Sequence, residues 1–108
     1  MEQETNLLQQ EIIRKTGFSM LPQSSLQLFR EKLASVIHDL INHDFNKLIL
    51  ILYRLDINEN KLKQKLANKT SDAGLLIADM IIMREQEKIE TRKKYKQRSE
   101  DIPEKDKW

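Results

Sequence analysis

Two adjacent His-Asp pairs, His38-Asp39 and His43-Asp44, are the residues of this chain whose types most directly suggest catalysis. Such pairs supply metal ligands in one superfamily of phosphohydrolases, where imidazole nitrogens and carboxylate oxygens hold a divalent ion. Those enzymes draw further ligands from a larger helical domain, and this chain holds two histidines in all. At 3.6 residues per turn, Asp39 and His43 share a helix face, whereas His38 and His43 diverge by about 140°. A surface metal site from Asp39 and His43 would lack a third protein ligand nearby. A small metal-dependent hydrolase is therefore a remote alternative, and these positions read as solvated polar residues at a helix end, where the dipole favours His43.

Asp79 is the second candidate. It lies in the middle of the apolar run Leu75 to Met83, LLIADMIIM. A dry, unpaired carboxylate there costs several kcal/mol and would have a raised pKa suited to proton chemistry. The plainer expectation is that Asp79 occupies one narrow polar stripe with Asp72 and Gln86, each seven residues away, or pairs with an arginine such as Arg54. No other acid, base or nucleophile has a sequence relation to Asp79 that would complete a site.

The third candidate is the basic stretch REQEKIETRKKYKQR, residues 84 to 98. Its second half gathers Arg92, Lys93, Lys94, Lys96 and Arg98 around Tyr95. This is a surface for an acidic partner, or for phosphates bound through counterion release. Nucleic-acid association through residues 84–98 is thus the alternative reading. A helix-turn-helix over Asn58 to Met83 is disfavoured, because its turn lacks the expected glycine and its second helix is too apolar to enter a groove.

Composition bounds the rest. The 108 residues fit one domain. Residues 1–83 carry ten Lys/Arg and ten Asp/Glu, residues 84–98 carry seven and three, and residues 99–108 carry two and four. The positive charge is therefore local, and the molecule as a whole is no general polyanion binder. The absence of cysteine excludes disulfides and thiolate chemistry and is compatible with a reducing cytoplasm. The start MEQETNLLQQE has no secretory pattern, and no apolar run approaches the roughly 20 residues of a membrane span. The expectation is a soluble cytoplasmic protein without membrane contact. With two glycines, Gly17 and Gly74, no glycine-rich phosphate cradle can be built, and the chain reads as no enzyme and as needing no cofactor.

Five elements must position these residues. Leu7, Leu8, Ile12 and Ile13 recur at helical spacing, with Gly17 as a left-handed stop. A linker over Thr16 to Gln23 should fold Phe18, Met20 and Leu21 back onto the core. Ser24 with Gln27 makes a capping-box pattern for a second helix with Leu26, Phe29, Leu33, Val36, Ile37, Leu40 and Ile41 on one face. Asp44 caps a third, carrying Phe45, Leu48, Ile49, Leu52 and Leu55. The run KLILILYRL also resembles a buried strand, but a lone strand would leave its backbone groups unsatisfied, so helix is predicted. Tyr53 is expected with its ring in the core. Asn58 starts a fourth helix with Leu62 and Leu66 inside and Lys61, Lys63, Lys65 and Lys69 outside. Thr70, Ser71 or Asp72 caps a fifth that reaches about Arg98, some 42 Å at 1.5 Å per residue.

That length exceeds a small bundle, so the end of the helix projects or packs on a partner. Ile82, Ile89 and Tyr95 or Lys96 hint at a heptad seam, too short to specify a coiled coil. The apolar runs 48–53 and 75–83 exceed what a chain of this length easily covers, which points to a homodimer. The segments LYRLDINENKLKQKLA and GLLIADMIIMREQEKIETRKKY resemble an uncharacterised group of small all-helical bacterial proteins, over roughly residues 26–96. The resemblance implies a helical fold and no activity, substrate or site. The expectation is an all-α fold: a single bundle of four or five helices over residues 1–98 with a long, projecting C-terminal helix, followed by a disordered charged tail, 99–108. Its expected function is that of a self-associating, non-catalytic interaction module whose basic C-terminal helix meets an acidic protein.

Overall fold

In the computed structural model, residues 2–67 and 72–101 are described, with side chains over 6–67 and 72–95. Five helices follow one another: α1 (Glu2–Thr16), α2 (Leu26–His43), α3 (Phe45–Arg54), α4 (Glu59–Ala67) and α5 (Ala73–Asp101). Among the described residues there is no strand, so the run Leu48 to Tyr53 is helical as expected. Nor is any helix there long and apolar enough to cross a membrane.

Local chemistry sets the helix ends. Thr16 donates its hydroxyl to the Ile12 carbonyl at 2.7 Å, and Gly17, at φ 74°, sends its N–H to the Ile13 carbonyl at 3.0 Å. This is the left-handed stop that glycine permits. The cap of α2 is Ser25 rather than Ser24, accepting from the Leu28 N–H at 3.1 Å. Asp44 breaks the chain between α2 and α3 from both sides. Its N–H bonds the Leu40 carbonyl at 2.8 Å, while its side chain accepts from the Lys47 N–H at 3.2 Å. Asn58 caps α4 through the Lys61 N–H, and Asp72 caps α5 through the Leu75 N–H. Thr70, Ser71 and Lys69 lie outside the described residues, as do residues 102–108 of the expected tail.

The core is a continuous cluster of Leu8, Ile12, Phe29, Leu33, Ile37, Leu48, Leu52, Leu55, Ile77, Ile81 and their neighbours. The pairing of α2 with α5 is its most extensive contact, and α1, α3 and α4 pack around that pair. The crossing is close because small residues meet there. A Cβ added to Gly74 would stand 2.8 Å from the Ala34 carbonyl oxygen and 2.7 Å from the His38 Cδ2. Ala34 and Ala78 are themselves buried.

Several positions differ from expectation. Leu21 is 76% exposed, so only Phe18 and Met20 of the linker reach the core. The linker is held instead by the buried Gln9, which accepts from the Gln23 N–H at 2.5 Å and donates to its carbonyl at 3.2 Å. Phe45 and Tyr53 are also exposed, because α3 turns Leu48, Ile51, Leu52 and Leu55 inward and leaves those two rings on its other side. Of the run 75–83, Ile77, Ala78, Ile81 and Ile82 are buried within the chain, whereas Met83 is exposed. Ile82 and Ile89 face that same core, so their spacing of seven marks no coiled-coil seam among the described residues.

The Gly74 crossing is directly testable. Gly74→Ala should lower unfolding free energy by about 1–3 kcal/mol, the cost of overpacking against backbone, even though alanine is the better helix former by up to about 1 kcal/mol. Urea unfolding with an unchanged m-value checks this, and a stabilised variant would show that α5 does not sit this close to α2.

Candidate functional site

Inward positions on α5 follow the stripe Ala78, Ile81, Ile82, Glu85 and Ile89. Glu85 therefore stands where an apolar residue would be expected, and its side chain is fully buried. An isolated carboxylate at such a place costs several kcal/mol, so the fold must bring cations to it. Lys15, at the end of α1, donates from Nζ to Oε1 at 2.8 Å. Lys88, one turn further along α5, places its Nζ 3.3 Å from Oε2, outside hydrogen-bonding geometry.

Lys88 also serves a second purpose, together with Arg84. Lys88 donates to the Leu55 carbonyl at 2.9 Å and Arg84 to the Asp56 carbonyl at 3.2 Å. Carbonyls at a helix C-terminus lack intrahelical donors, and positive charge there also complements the dipole. The turn they hold is tight, with Asp56 at φ 59°, a left-handed conformation that aspartate tolerates better than most residues. Lys15, Arg84, Lys88, Thr91 and Arg92 together line a cleft of about 390 Å³ between α1 and α5. Arg92 approaches Glu11 of α1 at 3.6 Å, and Glu11 is also bound by Arg14 at 2.6 Å. The Arg14 hydrogen bond, ahead of opposing desolvation and the charges of Arg14, Lys15 and Arg92, holds the Glu11 carboxyl below its ordinary range.

Of the expected basic surface, Arg92, Lys93, Lys94 and Tyr95 are all exposed. Lys96 and Arg98 continue along α5, beyond the described side chains. Arg92 alone of the described four lines the cleft, and the others extend past it. The sequence reading missed Lys15, which lies seventy positions from Glu85, and it missed Glu85 itself. The spacing 81, 85, 89 was the signal that a carboxylate points inward.

The residues that suggested catalysis are engaged elsewhere. Asp79 is half-exposed and pairs with Arg30 of α2, not with Arg54, through contacts of 2.5 and 3.0 Å from Nε and Nη2. This fork holds the Arg30 pKa above its ordinary value, the hydrogen bond to Asp79 being the largest cause. Asp79 is thus a surface ion pair bridging α2 and α5 and no buried acid. His38 pairs through Nε2 with Asp72 Oδ1 at 2.5 Å, and His43 places Nδ1 3.0 Å from the Asp39 carbonyl oxygen, not its carboxylate. Among the described residues no three His, Cys, Asp or Glu side chains form a group able to hold a metal ion.

Two outcomes follow from these contacts. Lys15→Met should cost about 1–3 kcal/mol in urea unfolding at neutral pH, because it strips a partner from a buried charge, and adding Glu85→Leu should recover part of the loss. Failure of that recovery would show that the pair is not what links α1 to α5. The Asp72 carboxyl is held below its ordinary value, chiefly by His38 and then by the Leu75 N–H. Its folded-state value lies under its unfolded one, so its contribution is complete above about pH 4 and drains as pH falls further. Asp72→Asn keeps a capping side chain but should flatten the fall of the thermal midpoint between about pH 4 and pH 2 relative to wild type; identical profiles would deny the carboxylate this role. Comparison with family models, curated proteins and solved structures returns no match to this chain.

Proposed function

We propose that this chain is a non-catalytic helical interaction module that self-associates and presents the basic end of α5 to an acidic protein partner. The observation that carries the reading is the change in α5 after Ile89. Up to that residue the helix contributes to the core, whereas Glu90, Thr91, Arg92, Lys93, Lys94 and Tyr95 are all exposed. The segment adds no buried side chain to the core, so its exposed cations and its one aromatic ring suit a role in recognition. His38 and Asp79, which suggested catalysis, are already engaged in interhelical pairs with Asp72 and Arg30.

An acidic protein surface is favoured over a phosphate backbone because the stretch is not uniformly positive. Glu87 and Glu90 lie among its cations, and Arg92 is paired with Glu11. Interspersed acids repel a continuous line of phosphates but match a patterned protein face.

The test compares an acidic glutamate-rich peptide with a single-stranded oligonucleotide, each followed by fluorescence anisotropy against Lys93→Glu/Lys94→Glu/Lys96→Glu. The peptide should bind wild type and lose at least about tenfold in affinity with the variant, as for a charged hot spot. Binding confined to the oligonucleotide, with a steep dependence on log salt, would replace this reading with a nucleic-acid one. Binding to neither probe would remove the α5 surface from consideration.

A further inference from the structure

Part of the positive charge on α5 lies before its exposed end. Arg84, Lys88 and Arg92 recur at a spacing of four, so they form one stripe along the helix. Like charges at that spacing repel, and the stripe is relieved only by anions opposite it. The chain supplies some of them. Glu85 meets Lys88 and also Lys15 of α1, Glu11 of α1 meets Arg92 but is shared with Arg14, and Asp56 stands 4.0 Å from Lys88. Around the cleft between α1 and α5, the five cations Arg14, Lys15, Arg84, Lys88 and Arg92 thus answer to three carboxylates, which leaves an excess of two positive charges. The lining has one chemical character. Lys15, Arg84, Lys88, Thr91 and Arg92 surround about 390 Å³, and each of these side chains can donate a hydrogen bond while none is a carboxylate. Glu85 is fully buried, and Glu87, exposed on the same helix, lines the neighbouring cleft instead.

Donors remain on these cations. Lys15 gives one N–H to Glu85 and Lys88 gives one to the Leu55 carbonyl, of the three that an ammonium carries. Arg84 binds the Asp56 carbonyl through Nε, which leaves the N–H groups of both its terminal nitrogens. The contacts already made also fix where the cations sit, so a ligand meets charges that are in place before it arrives. We infer that this cleft is a binding site for the dianionic head of a small phosphate monoester. A phosphate group carries about −1.5 to −2 charges at pH 7 and three strongly accepting oxygens, which matches the excess of positive charge and donors arriving from two helices. Guanidinium groups such as those of Arg84 and Arg92 bond phosphate oxygens in pairs. A carboxylate brings a single charge and two oxygens, and would leave half of the excess unanswered. No apolar side chain lines the cleft, and Thr91 and Arg92 at its edge are exposed. The site therefore holds the anionic head and leaves the organic part of the ligand in water. This inference is independent of the acidic-partner reading, because Lys15, Arg84 and Lys88 lie outside the exposed end of α5 and the cleft takes one dianion rather than a patterned face.

The test is a titration of the full chain with inorganic phosphate, followed through its amide NMR shifts and set against sodium chloride at the same ionic strength. Phosphate should give saturable shifts concentrated at Lys15 and at residues 84–92, and chloride should not. Arg92→Gln/Thr91→Val changes two exposed side chains, so its helical circular dichroism should be unchanged. Its dissociation constant for phosphate should rise at least about tenfold, as for the loss of a hydrogen bond to a charged group. Lys93→Gln/Lys94→Gln removes two cations that do not line the cleft, and should weaken phosphate binding less than Arg92→Gln/Thr91→Val does. Equal responses to phosphate and chloride would overturn the site. So would a phosphate response that is lost in Lys93→Gln/Lys94→Gln and kept in Arg92→Gln/Thr91→Val, because the anion would then sit on the exposed end of the helix.

Discussion

Burial of the Glu85 carboxylate constrains this molecule more than any other single feature. The cost of drying a charge is met only if counter-charges arrive with suitable geometry, and in this fold they come from two directions. Lys15 arrives from α1 and Lys88 from one turn along α5. Lys88 then has donors left for the Leu55 carbonyl, and Arg84 holds the carbonyl of Asp56. One acid thereby ties α1, the end of α3 and the middle of α5 into a common arrangement. Both lysines keep roughly a fifth to a quarter of their side-chain surface in water, which softens the penalty and also screens the attraction. The cations nearest the core are accordingly committed to the fold. Beyond Ile89 the described side chains of α5, Glu90 to Tyr95, are exposed.

A different kind of constraint acts at the other end of α5. There, closeness depends on what is missing: Gly74 has no Cβ, and the buried Ala34 and Ala78 have little more. The short distance lets Asp72 cap α5 and meet His38 of α2 with the same carboxylate. Further along, the Arg30 fork on Asp79 bridges the same two helices from the solvent side. Small residues, a shared cap and a surface ion pair thus set the approach of α2 to α5, and the apolar side chains between them fill the remaining space.

The helices were legible in the sequence because apolar spacing and capping residues act locally. Asp44, Asn58, Asp72 and Gly17 each mark an end through hydrogen bonds within a turn of themselves. What local pattern does not encode is which charge meets which. Arg30 lies 49 positions from Asp79, and Lys15 lies 70 from Glu85. Those pairings are consequences of packing and cannot be read from spacing. The same limit explains Phe45, Tyr53 and Leu21. Hydrophobicity says that a side chain gains from burial, but α3 has more apolar circumference than its neighbours cover, and the fold decides which side stays wet. Of the candidate basic surface, position and charge were legible, whereas the cleft that Arg92 shares with Lys15 was not.

The two halves of the proposed function, self-association and a basic surface, bear on one another. The apolar side chains left exposed, Phe45, Leu50 and Tyr53, belong to α3, whereas the exposed basic segment starts at Arg92 on α5. Self-association that leaves the end of α5 uncovered would duplicate Arg92, Lys93, Lys94 and Tyr95 across a twofold axis. Two basic segments held on one rigid body bind a partner bearing two acidic segments with an effective concentration set by the spacing between them. Under that arrangement self-association is no separate property of the molecule. It converts a weak, screened charge contact on each copy into a paired one, and it gives a chain with little surface area to spare a means of discriminating partners by geometry as well as by charge.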